Sequence, residues 1–256
     1  ALVGTVIFGG IKRIAKVAST MVPVMVGIYL LAAIIIIGKN IHFVPNIFLL
    51  IVQDAFSGTA VAGGAVGSMI SIGVRRGLFS NEAGTGTETM AHGAAKTKEP
   101  VREGLVAMLG PFIDTIIVCS ITAIVILLSG VYTQDLNGVS MTVSAFEHEL
   151  GTLGKIIIMV AVLTFSLSTM FGYSYYGRKC TSYLLGTKWK IVYNWFYVMM
   201  IVLASTISID IAINFMDSAF ALMVIPTIIS TILLAPKVLS ESKRYFNRIY
   251  KFINII

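Results

Sequence analysis

The chain is 256 residues long, 57% hydrophobic and only 12% charged, with a formal net charge of +7. A soluble domain carries about a quarter of its residues charged, so this balance excludes one. The lysines and arginines stand between apolar blocks and form no aromatic-interleaved stripe, which argues against nucleic acid as a partner.

In chain order, residues 1–9 read as the tail of one membrane helix, and G-G-I-K-R-I-A-K (9–16) as a basic turn. Apolar blocks follow at 17–38, 54–73, 104–129, 155–177, 191–209 and 213–236, each long enough to cross a hydrocarbon core. They lack the alternation of barrel strands, so the expected class is all-α integral membrane. Residues 74–103 form a long polar connection, and a basic amphipathic tail occupies 237–256. Because Ala1 falls inside an apolar run, the chain is expected to be part of a longer protein.

If each block crosses once, the connections segregate by charge. One side holds three basic residues at 12–16, five at 75–102, four at 178–190 and five at 237–251; the other holds only Lys39 and Lys155. The positive-inside rule makes the first side, with the C-terminus, cytoplasmic in a multi-pass protein of the cell membrane. Cys119 and Cys180 fall at different depths and are expected as free thiols.

The block at 54–73 is unlike the others, since Gly58, Gly63, Gly64, Gly67 and Gly73 each weaken a helix by about 1 kcal/mol relative to Ala. Two readings stay open: a small-residue packing seam, or a discontinuous helix whose free backbone approaches a ligand. In the block at 155–177, Thr164, Ser168 and Gly172 recur on one face with Thr169 beside them. Their hydroxyls either bond back to the helix or present hard oxygens to Na⁺. Asp114 lies ten residues beyond Gly104, roughly 15 Å into the membrane, one turn after Pro111. A carboxylate at such depth needs a partner and is a functional candidate. Asp217 is expected near the interface.

Enzyme signatures are wanting. The chain has no P-loop or nucleophile elbow, G-T-G-T-E-T lacks the third glycine of a dinucleotide loop, and His42, His92 and His148 fall in three separate connections. No catalytic residue and no bound cofactor are expected.

The segments G-G-I-K-R-I-A-K, G-V-R-R-G-L-F-S-N-E-A-G-T-G, A-H-G-A-A-K-T-K-E-P-V-R-E-G-L-V-A-M-L-G-P-F-I-D-T-I-I-V-C and S-T-M-F-G-Y-S-Y-Y-G together resemble the sodium:alanine symporter family. The resemblance implies a LeuT-type fold of two inverted five-helix repeats with broken first and sixth helices. The chain would run from the end of helix 4 through helix 10, and helices 1–3 would belong to the rest of the transporter. Gly63, Gly64 and Gly67 on broken helix 6, with Tyr173, would face a small neutral amino acid such as alanine or glycine. Ser168 and Thr169 would ligate the co-transported sodium. Arg75, Arg76, Asn81 and Glu82 would close an inner gate, with Asp114 a further coupling candidate. Tyr173 and Ile213 stand where the family usually has Trp, and V-I-P-T (224–227) replaces A-I-P-N. The implied activity is sodium-coupled amino acid uptake; a proton-coupled or exchange carrier using Asp114, and a non-transporting remnant of a truncated symporter, are the alternatives.

Overall fold

A computed structural model describes residues 2–56, 65–82 and 84–253 of the chain. Among them all regular structure is helical. The chain opens with α1 (Leu2–Ile7) and α2 (Gly10–Lys39), followed by α3 (Val44–Ala55) and α4 (Ala65–Ser80). A short helix α5 (Glu88–His92) precedes α6, a helical run over Pro100–Ser129. Then come α7 (Val139–Leu150), α8 (Thr152–Leu184), α9 (Lys190–Ala204) and α10 (Ile209–Ile253).

Four helices are long and apolar enough to span a bilayer, at Arg13–Lys39, Pro100–Ser129, Thr152–Leu184 and Ile209–Lys251. They match four of the six expected blocks. The block at 54–73 overlaps residues outside those described, and α9 has 15 residues, roughly 22 Å of helix. Two 12-residue helices, α3 and α7, occupy stretches expected as plain connections. The last apolar block and the basic tail form one helix, α10, which continues through Pro236.

The described residues divide into two compact units, Ala1–Ile72 with Ile116–Ser205 and Gly73–Thr115 with Thr206–Ile256. The first has a core of its own. Tyr29, Ala32, Ala33 and Ile36 of α2 are buried against Val125 of α6, Phe146 of α7 and Ile158 and Ala161 of α8. Alanines at 32, 33 and 161 let helix backbones approach, the usual source of packing energy where lipid is as apolar as the side chains. The Tyr29 ring stacks on Phe146 at 5.5 Å and its hydroxyl bonds Thr122, so the one polar atom in this layer is satisfied.

The α7–α8 turn shows how tightly this core is drawn. Gly151 at φ 65 reverses the chain, a conformation that a Cβ opposes. Three residues later Gly154 is buried so closely that a Cβ would stand 2.0 Å from the Phe146 carbonyl oxygen.

Gly154→Ala therefore forces α8 away from α7, and a cost of about 1–3 kcal/mol is expected. Gly27→Ala, where nothing lies within 4 Å, serves as control. Thermal unfolding in detergent should show a lower midpoint for G154A only; equal midpoints would contradict the close approach.

Candidate functional site

The second unit holds most of the polar groups singled out in the sequence. Its framework is the last part of α4, the first half of α6 and α10, with the connection 81–99 between them.

Pro111 lacks the N–H that an α-helix interior needs, and the following turn widens into π-helix over Phe112–Cys119. Asp114 and Thr115 lie in this widened segment. Ser80, the last residue of α4, donates its hydroxyl to Asp114 Oδ2 at 2.6 Å. Asn81 Nδ2 donates to Thr115 Oγ1 at 3.1 Å and to the Gly77 carbonyl at 2.8 Å. The end of α4 is thus capped by its own next residue and tied to α6 by two side-chain bonds. The partner that Asp114 requires is Ser80, which the sequence reading did not name.

Arg75 and Arg76 also have a common partner. The Arg76 guanidinium donates to both Asp217 oxygens, at 3.2 and 3.3 Å, and Arg75 lies 3.8 Å from the same carboxylate. Both arginines are half exposed while the Asp217 side chain is only 11% exposed. Asp217, expected near the interface with no assigned role, is the residue on which both cations converge.

Between these two contacts the chain makes a tight polar knot. Glu82 takes φ 59, an uncommon conformation for a residue with a Cβ. Its carbonyl accepts from the Thr85 and Gly86 amides and the Thr85 hydroxyl, and its carboxylate accepts from Thr87 at 2.7 Å. Thr85 and Thr87 are buried. Thr227 of α10 donates to the Thr85 carbonyl at 3.1 Å, and a Cβ on Gly86 would stand 2.8 Å from the Thr227 hydroxyl oxygen. With φ 77 as well, position 86 admits only glycine without strain. Thr227 belongs to the V-I-P-T departure noted in the sequence, which was the one available signal for this contact.

Further along, His92 Nδ1 meets Glu103 Oε1 at 2.7 Å and its Nε2 lies 3.5 Å from Glu88 Oε1. Burial is the largest influence on Glu88 and pushes its carboxyl up; His92 pulls it back and Glu82 adds to the rise. Glu99 then takes Arg248 and, at 3.6 Å, Arg244. Asp217, Thr227 and Arg248 succeed one another along α10 over 31 residues, roughly 46 Å of helix, as their partners Arg76, Thr85 and Glu99 succeed one another in sequence. The contacts of this stretch are thus spread lengthwise along α10.

The other candidates belong to the first unit. Ser168 donates back to the Phe165 carbonyl at 2.9 Å and Thr164 to Val160 at 2.8 Å, which satisfies their protons and leaves oxygen lone pairs free. Thr169 is exposed on α8, and the Tyr173 ring meets Tyr176 edge-on at 5.8 Å. Gly63 and Gly64 lie outside the described residues; Gly67 falls in α4. No group of three metal-ligating side chains occurs among the described residues, and neither cysteine is in a disulfide.

Residues 1–252 match the profile of the sodium:alanine symporter family, and the chain belongs to that family. It is 40% identical over 250 residues to the sodium/alanine symporter AgcS of Methanococcus maripaludis, covering 96% of this chain and 55% of that protein. It is 36% identical to the probable sodium/glutamine symporter GlnT of Bacillus subtilis, over 96% of this chain and 52% of the relative. The putative sodium/proton-dependent alanine carrier YrbD of the same organism is 34% identical, with 95% and 54% covered. The chain spans about half the length of these relatives. The family is one of membrane transporters rather than enzymes.

Two outcomes follow from the knot. Gly86→Ala should raise amide hydrogen exchange over residues 84–92, whereas Gly104→Ala, with nothing within 4 Å, should not; equal protection in both would remove the Thr227 contact. For Glu88 the folded carboxyl is raised above 4.5, so the native state binds the proton more tightly than the unfolded chain. Its contribution to stability is then present below pH 4.5 and lost as pH rises through the folded value. Glu88→Gln abolishes that loss. The melting-point difference, variant minus wild type, should grow from pH 4.5 toward neutrality, and a flat difference would contradict the raised carboxyl.

Proposed function

We propose that this member of the sodium:alanine symporter family forms the C-terminal part of a secondary active transporter that couples sodium entry to uptake of a small neutral amino acid. The observation that carries the reading is the family match over residues 1–252, reached by a chain whose four long helices are those of a multi-pass membrane protein. Relatives named for alanine and for glutamine support a neutral amino acid as the substrate. Alanine, or the still smaller glycine, is the choice favoured by the family's name.

On the LeuT-type frame the chain supplies the end of helix 4 through helix 10, with α3 and α4 as the two halves of broken helix 6. Gly63, Gly64 and Gly67 would offer backbone to the substrate, since a bare backbone lets a ligand come close. The Ser168 and Thr169 oxygens would ligate sodium; the bonding of Ser168 through its proton is compatible with that role. The missing helices of the same transporter would complete the site. We assign the basic helix ends and the C-terminus to the cytoplasm from the positive-inside distribution.

Gating falls to the lengthwise polar seam. Alternating access requires contacts that hold in one state and break in another, and each contact of Arg75, Arg76, Asn81 and Asp114 is a single ion pair or a few hydrogen bonds rather than buried apolar surface. A relative named as sodium/proton-dependent gives Asp114 a second reading, as a proton-binding group.

In the full-length transporter, replacing Ser168 and Thr169 together by Ala removes two hard oxygens without adding bulk. The sodium concentration for half-maximal alanine uptake should rise about tenfold or more while the alanine requirement at saturating sodium changes little; unchanged sodium dependence would end the assignment. Asp114→Asn should reduce coupled uptake with normal membrane insertion. If wild-type uptake does not vary with pH at fixed sodium, the proton reading fails and the sodium reading stands.

A further inference from the structure

The seam along α10 ends in a groove that transport as proposed does not use. It has a volume of about 890 Å³ and lies wholly within the second unit, between the first turns of α6 and the part of α10 beyond Leu234. Its walls are Leu105 and Met108 on one side and Leu234, Val238 and Phe246 on the other, all exposed, Met108 to 69% and Val238 to 60%. Its mouth carries Lys98, Lys237 and Arg244.

The charges at the mouth are unevenly matched. Glu99 takes Arg248 and Arg244, and Glu241 takes Arg244 at 2.6 Å. Lys98 and Lys237 have no ion pair among the described residues, so four cations face two carboxylates. Lys98 stands two residues before α6 begins, and Lys237 follows the apolar stretch of α10, whose helix continues beyond it. Met108 lies eight residues into α6, roughly 12 Å from its start. The groove is therefore cationic where headgroups sit and apolar over the depth of the upper acyl chain.

We propose that this groove is a binding site for one anionic phospholipid. The phosphate bridges Lys98 and Lys237, with Arg244 close enough to exchange its carboxylate for a phosphate oxygen, and an acyl chain lies along Leu105, Met108, Leu234 and Val238. Three features select this occupant. A protein segment covering the walls would leave two lysines buried and unmatched unless it brought acids of its own, and a zwitterionic lipid would set a choline beside them. An anionic lipid satisfies both ends of the groove with one molecule. Its binding does not depend on which solute is carried.

The test uses the full-sequence protein reconstituted in bilayer discs, with Met108→Trp as reporter and the wild-type emission subtracted. Brominated phosphatidylglycerol should quench the new indole at mole fractions about tenfold lower than brominated phosphatidylcholine, as two unpaired lysines warrant. Adding Lys98→Gln and Lys237→Gln should erase that preference while leaving quenching by phosphatidylcholine unchanged. Equal quenching by both lipids would mean ordinary lipid contact and overturn the proposal, and no quenching by either would mean that protein covers the groove. Abolition of the preference by millimolar inorganic phosphate would assign the site to a free anion instead. Should the variants fold poorly, lipid retained by the wild-type protein after detergent extraction decides the matter by mass spectrometry. Enrichment in phosphatidylglycerol over the source membrane supports the site, and no enrichment removes it.

Discussion

A polar group in the hydrocarbon core has no water to fall back on, so each one must find its partner within the protein or be costly. That constraint organises the chain at every scale. Hydroxyls on the long helices bond back to the preceding turn, as Thr122 does to Val118 and Thr181 to Gly177. The widened turn after Pro111 places Asp114 where Ser80 reaches it. Asp217, nearly enclosed, draws two guanidinium groups rather than one. Partners are found locally where a helix can supply them and across elements where it cannot.

The same constraint explains the difference between the two units. Around Tyr29 the first unit meets it by excluding polar groups: alanine, isoleucine, valine and phenylalanine fill the layer, and one hydroxyl pair closes the account. The second unit meets it with side chains from the connection after α4, which bond in turn to α6 and α10. A net hydrogen bond contributes about 0.5–1.5 kcal/mol, whereas a close-packed aromatic or leucine contributes more when buried, so the two solutions differ in how readily they can be exchanged. Packing fixes one arrangement. Polar contacts spread over several elements can be traded for others of similar energy.

Much of the architecture was legible because the bilayer sets one length. Four blocks read from the sequence are helices long enough to span it, with ends within about five residues for the spans at Arg13–Lys39 and Pro100–Ser129. What escaped was whatever that length excludes. Helices α3 and α7 have 12 residues each, too few to register as spans. Within the candidate site, residue type gave Asp114 and the arginines as groups in need of partners, while the partners themselves lie 34 and 141 residues away. No local spacing encodes those distances. Ser80 reads as an ordinary helix-end serine until α6 is beside it, and Asp217 as an interfacial acid until α4 is.

Two of the chain's crossings between its units fall within helices, at Ile72–Gly73 in α4 and at Thr115–Ile116 in α6. Neither is an ordinary stretch of helix. Gly73 loses more backbone freedom in a helix than any other residue type would, and Thr115–Ile116 lies inside the π-helical segment, where the hydrogen bonding is shifted by one residue. Directly beyond each crossing stand the residues that bond between elements: Arg75 and Arg76 after the first, Asp114 and Thr115 before the second. Weak helix and strong side-chain contact therefore occur side by side at both places. Where the backbone is least able to hold its own geometry, ion pairs and hydrogen bonds hold it, so the geometry of α4 and α6 at these points depends on the partners those side chains keep.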